Sequence, residues 1–437
     1  MRRATWSRQR LVDYQNRQLR KVVRYAFDNV PFYHRLFKTV NVAPSEIRCA
    51  KDLNKLPVVR KSDLRKEPYR DLISSEFVDR RLKTLKTGGS TGEPFMIYIS
   101  EKEDERRMAD CLRSNIICGQ RPLDRWVAVL DADRSRDHAK TLVLIHQAVR
   151  VFFKQIVPVT WNRVAQLNAV ERLKPDILDG FPNALWLLAR EMELKDRKLV
   201  HPRVVFGSGE PVSTSLRRYL ENAFDAPYYD QFGCMEIDRS AWQCPENNAY
   251  HIDMDSVAMQ FIGSDGEEVG SGERGEVVYT SLFNYAMPFI RYGTRDICTP
   301  LDESCPCGRA LPMMRVVQGR DNSFLVFADG HIVSPMSFIE ILKAFLLVKE
   351  IEQYQVVQNG LNKIDILVKK AYKDVDESHL RDWLLANIFQ GLPRVENVDL
   401  SGVTFNVKFV DKLSLTPRGK LNVVTSNLNA FNQNSKD

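Results

Sequence analysis

Near the start of the chain, apolar residues recur at helical spacing. Leu11, Tyr14, Leu19, Val22, Val23, Ala26 and Phe27 share one side of a helix predicted from about residue 8 to 28. Asn29-Val30-Pro31 stops it, because proline lacks an N–H and disfavours a helical residue before it. Between about residues 70 and 300, strand-like and helical runs alternate. Phe95–Ser100, Trp126–Leu130 and Arg203–Phe206 read as strands, and Leu185–Leu194 and Ser215–Phe224 as helices. That alternation predicts an α/β body with mixed β-sheets and helices. The texture changes near Gly319-Arg320-Asp321-Asn322-Ser323. Beyond it, Ile351–Gln358, Ile364–Val368 and Val403–Val410 read as strands. Asp376–Ile388 reads as a helix with Leu380, Trp383, Leu384 and Ile388 on one face. The expected organisation is a large N-terminal domain, 1–319, and a small mobile C-terminal α+β domain, 320–437. The tail after about Asn427 is expected to fray.

A chain of 437 residues suits two or three domains. Hydrophobic content of 44% with 27% charged residues is ordinary for a soluble globular protein. No apolar run is long enough to span a bilayer, so membrane insertion is not expected. The basic start, Met1–Arg8, has no apolar core behind it and does not read as a secretory signal. A cytoplasmic location is expected. The net charge of +7 is modest, and cations interleave with acids, as in Asp104-Glu105-Arg106-Arg107. No nucleic-acid partner is expected; the excess helps attract small anions. The eight cysteines show no disulfide framework and are expected to be reduced. The chain leaves a homodimer open.

The candidate chemistry begins at Thr87-Gly88-Gly89-Ser90-Thr91-Gly92-Glu93-Pro94. Glycines let the backbone approach a ligand, and clustered N–H groups and hydroxyls suit phosphate oxygens. Composition alone leaves a plain surface loop about equally good. It is not a Walker A loop, since it ends Gly-Glu-Pro, and Gly207-Ser208-Gly209-Glu210 lacks the third glycine of a dinucleotide fingerprint. Further motifs follow in order: Tyr229–Glu236, Pro288–Asp296, Gly319–Asn322 and Leu415–Leu421. Separately, Cys244 and His251 are joined about fifty residues later by Cys305-Pro306-Cys307. Three thiolates and one imidazole would form a closed tetrahedral set, the structural-zinc pattern. Cys234 has no histidine partner that the sequence can place beside it, so a packing role is expected.

In this order the motifs resemble the adenylate-forming superfamily of acyl-CoA synthetases, luciferases and peptide-synthetase adenylation domains. The nearer likeness is to the phenylacetate–CoA ligase branch with its CapK-like, capsular-polysaccharide relatives; Leu19–Phe37 shares it. It covers almost the whole chain. It implies an ATP-dependent ligase that forms an acyl-adenylate and pyrophosphate, then passes the acyl group to CoA. An amine or amino sugar is the alternative acceptor. By this resemblance Thr87, Gly88, Gly89, Ser90, Thr91 and Gly92 hold the β- and γ-phosphates. Glu236 helps hold Mg²⁺. Phe232, within Asp230-Gln231-Phe232-Gly233, stacks on adenine, and Gly207-Ser208-Gly209-Glu210 forms another wall. Asp296 binds the ribose hydroxyls. Lys420 reaches the α-phosphate and carboxylate, and Arg320 acts at the ATP site beside the hinge Asp321–Asn322. Asp179–Pro182 and Trp126–Asp133 line the acid pocket, with an aromatic acid as the branch default. Branch members often carry a similar Cys–His–Cys-x-Cys set. Three departures stand out: Glu93 where lysine is common, Arg295 at a glycine position, and Asn322 at a hinge acid. Glu93 and Arg295 motivate a rival of another class, a non-catalytic nucleotide-binding scaffold.

Overall fold

A computed structural model describes residues 2–87, 95–131, 151–195, 200–320, 323–335, 338–339, 348–396, 398–416 and 419–428. The chain divides into two compact units. The first comprises Met1–Asp124, Ser135–Phe153 and Tyr229–Val317; the second comprises Arg125–Arg134, Lys154–Tyr228 and Gln318–Asp437.

The first unit opens with the helix Arg8–Asn29. The Ser7 hydroxyl caps it, accepting from Arg10 N. Leu11, Leu19, Val22, Val23 and Ala26 are fully buried on its inner face, as their spacing predicts. It ends at Asn29, and Pro31 starts a new helix, Pro31–Thr39, where a missing N–H costs nothing. The strands Lys83–Lys86 and Met96–Ile99 pair antiparallel, and the glycine–hydroxyl loop joins them. Ser100 and Glu103 form a reciprocal capping box at the start of the helix Glu101–Ile117. Antiparallel pairing then joins Val257–Ile262 to Gly275–Ser281, Gly275–Ser281 to Tyr292–Leu301, Met313–Arg320 to Tyr250–Ile252, and Tyr250–Ile252 to Asp238–Gln243. Most of these strands escape a reading by apolar runs, because serine, threonine, glutamine and arginine interrupt them. Leu19, Phe37, Ile97, Ala258, Tyr279 and Phe289 share the core, each worth about 1.5–3 kcal/mol where the side chain is large.

In the second unit the strands Val204–Ser208, Ile177–Gly180, Trp126–Leu130 and Lys154–Pro158 lie in that order, all parallel. Trp126–Leu130, Ile177–Gly180 and Val204–Ser208 are buried almost throughout, as fits strands covered on both faces, whereas Lys154–Pro158 ends the order and begins with polar, half-buried residues. The helices Arg163–Leu173, Pro182–Leu194 and Thr214–Phe224 alternate with them. Further along the same unit lies a mixed sheet in the order Thr404–Val410, Lys363–Lys370, Ile351–Gly360, Val424–Ser426. The helix Glu377–Glu396 packs on it through Leu380, Leu384, Ile388 and Leu392. It runs past the predicted end at Ile388 and contains Pro393 in its last turns. Arg190 ties this sheet to the helix Pro182–Leu194, donating to the carbonyls of Ile351, Val348 and Lys349. Among the described residues no helix is long and apolar enough to cross a membrane. The architecture is mixed α/β, as the alternating pattern predicts.

Candidate active site

Lys420 is seated on the Gly207–Glu210 segment. Its Nζ donates to the carbonyl of Gly209 at 3.0 Å and lies 5.1 Å from the centre of the Phe181 ring. Gly209 has φ +80°, and a Cβ there would fall 2.4 Å from Lys420 Nζ. Glycine is therefore required twice, for the backbone turn and for the approach of the lysine. Two positions earlier a Cβ on Gly207 would fall 1.6 Å from the Tyr228 hydroxyl oxygen, so the tyrosine packs directly on bare backbone. Glu210 is half-buried. Its Oε2 accepts from Asn183 N at 2.9 Å and its Oε1 from Leu421 N at 3.1 Å. Burial pushes its carboxyl up to about 7, against these two donors and Lys420.

Glu236 lies in the turn between the strands Tyr228–Cys234 and Asp238–Gln243 and is 3% exposed. Its Oε1 lies 2.8 Å from Lys61 Nζ and accepts from the Tyr292 hydroxyl at 2.7 Å. Burial alone would raise its pKa; the Lys61 charge and the two hydrogen bonds outweigh that and hold it below the usual carboxylate range. Its backbone carbonyl accepts from Arg107 at 2.7 Å and from Asn284 at 3.0 Å, which fixes the chain on both sides of the carboxylate. An ionised, rigidly held oxygen ligand is what a hard cation requires, so Glu236 fits Mg²⁺. Asp296 stands on the strand Tyr292–Leu301 and is partly exposed. Phe232 is half-buried against the core. Asp230 accepts from the Tyr250 hydroxyl at 2.7 Å, and Gln231 donates to Asn115 at 2.9 Å. Burial beside Glu236 and Asp296 pushes the Cys234 thiol well above its ordinary range, which suits packing and not nucleophilic attack.

The four zinc candidates come together. Cys244 follows the strand Asp238–Gln243, and His251 lies in the neighbouring strand opposite Trp242 and Met313. Cys305 and Cys307 occupy the connection between Tyr292–Leu301 and Met313–Arg320. Cys244 Sγ is 3.5 Å from Cys305 Sγ, and His251 Nε2 is 3.2 Å from Cys307 Sγ. All four ligand atoms lie within 4.8 Å of one another. Burial and Arg309 lower His251 to about 4, keeping the imidazole in its neutral, ligating form.

Comparison with known proteins places this arrangement. No family model matches the chain. The chain is 26% identical over 370 residues to a phenylacetate-coenzyme A ligase of Thermus thermophilus, covering 83% of this chain and 81% of that protein. It is 22% identical to Protein CapK of Staphylococcus aureus, covering 96% and 90%. Over most of its length the chain is thus similar to phenylacetate–CoA ligases and to a CapK protein. Its fold is similar to a crystal structure of 2-hydroxyisobutyryl-CoA ligase in the postadenylation state with 2-HIB-AMP. The TM-score is 0.76 at 20% identity, covering 98% of this chain and 92% of that one.

Arg295, where the resemblance leads one to expect glycine, takes the left-handed conformation with φ +65°. A side chain there costs roughly 1–2 kcal/mol over glycine. The Arg295 N–H donates to Glu276 at 2.9 Å, and Arg60 also pairs with Glu276. Gly88, Gly89, Ser90, Thr91, Gly92, Glu93, Asp321 and Asn322 lie outside the described residues, as does the side chain of Arg320, which ends its strand. Thr87 is described: its hydroxyl accepts from Phe95 N at 3.1 Å and its N–H donates to Phe95 O at 3.0 Å, pinching the two ends of the loop together. Sequence reading missed Lys61, Tyr292 and Arg107 around Glu236. Lys61 opens a five-residue helix in a basic stretch, and no local pattern distinguishes it from its neighbours.

Proposed function

We propose that the chain is an ATP-dependent ligase that activates a carboxylic acid as its acyl-adenylate and transfers the acyl group to CoA. The acid's carboxylate oxygen attacks the α-phosphorus, the bond to the β-phosphate breaks and pyrophosphate leaves. The CoA sulfur then attacks the acyl carbon and AMP leaves. The observation that carries this reading is the seat of Lys420, 211 residues beyond Gly209 in the chain, on the Gly207–Glu210 wall. There its charge would stabilise the developing phosphoryl oxyanion. Thr87, Gly88, Gly89, Ser90, Thr91 and Gly92 would cradle the outer phosphates. Phe232 would stack on adenine, with Asp230, Gln231 and Gly233 shaping its surroundings, and Asp296 would accept from the ribose hydroxyls. Glu236 would hold Mg²⁺, which neutralises phosphate charge when bound. Cys244, His251, Cys305 and Cys307 would hold a structural zinc with no open position. Arg320 would act at the ATP site. Residues 320–437 would turn about Asp321–Asn322 between the two half-reactions. An aromatic acid is the default substrate, and the cytoplasm, where ATP and CoA reside, is the proposed location.

Transfer to an amine or amino sugar is the second reading. It is favoured by the match to Protein CapK, which spans 96% of this chain against 83% for the Thermus ligase. The deciding experiment offers a panel of aryl and alkyl acids with ATP and Mg²⁺, together with CoA and several amines, and identifies products by mass spectrometry. Thioester products support the first reading and amides the second. If no acid supports ATP–pyrophosphate exchange, the enzyme reading fails and the nucleotide-binding scaffold takes its place.

A further inference from the structure

Glu210 stands in the nucleotide wall by resemblance, yet both its oxygens are turned to protein backbone. Oε2 accepts from Asn183 N, in the first turn of the helix Pro182–Leu194, and Oε1 accepts from Leu421 N, the residue after Lys420. The carboxylate thus spans two segments that the chain separates widely, joining a helix N-terminus to the lysine-bearing turn. That turn is tightly built. Thr416 N donates to Lys420 O at 2.8 Å, Gly419 N donates to Thr416 O at 2.8 Å, and Lys420 N donates to the Thr416 hydroxyl at 3.1 Å. The helix N-terminus favours a negative charge, and an ionised acceptor makes the stronger hydrogen bond. Each oxygen already carries a backbone donor, which casts Glu210 as a residue that holds position.

We propose that Glu210 is the positioning residue that latches the Lys420 turn in its pose against Gly209 and Phe181, and so selects the arrangement used for adenylation over that used for acyl transfer. Breaking the latch frees Leu421 and lets Lys420 leave Gly209. The chemistry of a preformed acyl-adenylate does not need that pose. The assignment rests on the proposed function only for its catalytic consequence; the latch itself is a physical contact.

The test uses the full-length protein at pH 8, where Glu210 is ionised. Hydrogen exchange followed by mass spectrometry reads peptides containing Leu421 in wild type, Glu210→Ala and Glu210→Gln. A charge-assisted hydrogen bond contributes about 1.5–3 kcal/mol, so exchange in Glu210→Ala should quicken roughly ten- to hundred-fold there. Glu210→Gln, which keeps a single acceptor oxygen, should fall between. Unchanged exchange in a folded Glu210→Ala protein overturns the latch. In parallel, adenylation and transfer from a synthetic acyl-adenylate are measured in a cycle with Lys420→Ala. Glu210→Ala should slow adenylation roughly ten- to hundred-fold, spare transfer, and add nothing in the Lys420→Ala background. Additive losses, or equal loss of both half-reactions, assign Glu210 a general structural role and overturn the proposal. Failure of the adenylation reading is separate: there no acid supports ATP–pyrophosphate exchange in the wild type, while hydrogen exchange at Leu421 still reports the latch.

Discussion

Replacing Cys305 by serine tests the zinc reading most directly. Tetrahedral zinc with Zn–S near about 2.3 Å and Zn–N near about 2.0 Å sets its ligand atoms about 3.5–3.8 Å apart. The separations here, 3.5 Å between Cys244 and Cys305 and 3.2 Å between His251 and Cys307, with all four within 4.8 Å, bracket that spacing. His251 is fully buried, Cys244 is 2% exposed and Cys307 is partly exposed; four protein ligands would leave a tetrahedral shell no open position. It also ties two neighbouring strands to one long connection in the first unit. Metal binding in zinc peptides contributes about 10–16 kcal/mol to folding, comparable with the whole stability of a domain at about 5–15 kcal/mol. A loss of even about 5 kcal/mol lowers an unfolding midpoint by about 10–20 °C in a unit of this size. The protein purified under reducing conditions should carry about one equivalent of zinc by elemental analysis. Cys305→Ser should lose it and melt at least about 10 °C earlier, whereas Cys49→Ser, outside the set, should do neither. Metal-poor wild-type protein with reduced thiols, a midpoint indifferent to added zinc, and an unshifted Cys305→Ser would together refute the reasoning.

Three further outcomes are expected. Lys420→Ala should slow adenylation about 10²–10³-fold, the scale of removing one charge-stabilising donor, while leaving transfer from preformed acyl-adenylate intact; equal losses in separate half-reaction assays contradict its role. Gly209→Ala places a methyl 2.4 Å from Lys420 Nζ at φ +80°, so it should reduce adenylation at least about ten-fold in ATP–pyrophosphate exchange; wild-type exchange would show that Lys420 does not work from this seat. Arg113→Met strips the fully buried Asp253 of the cation that holds it at 2.6 Å, and takes from Asp255 a cation at 2.7 Å while Arg3 and Arg106 stay beside it. It should cost about 3–5 kcal/mol, read as a lowered melting midpoint of the purified protein, and an unchanged midpoint would mean that the two carboxylates are relieved in some other way.

The helix Arg8–Asn29 was legible because a single face repeats Leu11, Leu19, Val22 and Ala26, and Pro31 punctuates its end. Of the parallel strands, Trp126–Leu130 and Val204–Ser208 were legible because burial leaves few polar interruptions, whereas the short Ile177–Gly180 and the polar-edged Lys154–Pro158 were not. The metal set was legible because cysteine and histidine are rare enough for spacing to carry information. The antiparallel strands around Asp238–Leu301 were not, since Ser240, Gln243 and Thr280 are buried yet polar, satisfied by partners that no local pattern announces.

By itself the sequence determined the strongly periodic helices, the most apolar strands, the order of the motifs, and the residue types available for chemistry. Periodicity and residue type are local properties, and local sterics and burial act on them directly. Only the tertiary structure decided which partners those residues take. It set Lys61 and Tyr292 on the Glu236 carboxylate, closed Cys244, His251, Cys305 and Cys307 into one cluster, and gave both oxygens of Glu210 to the backbone. A hydrogen bond or ion pair depends on ångström distances between segments far apart in the chain. Those distances are set by how whole elements pack, so no short stretch of sequence encodes them.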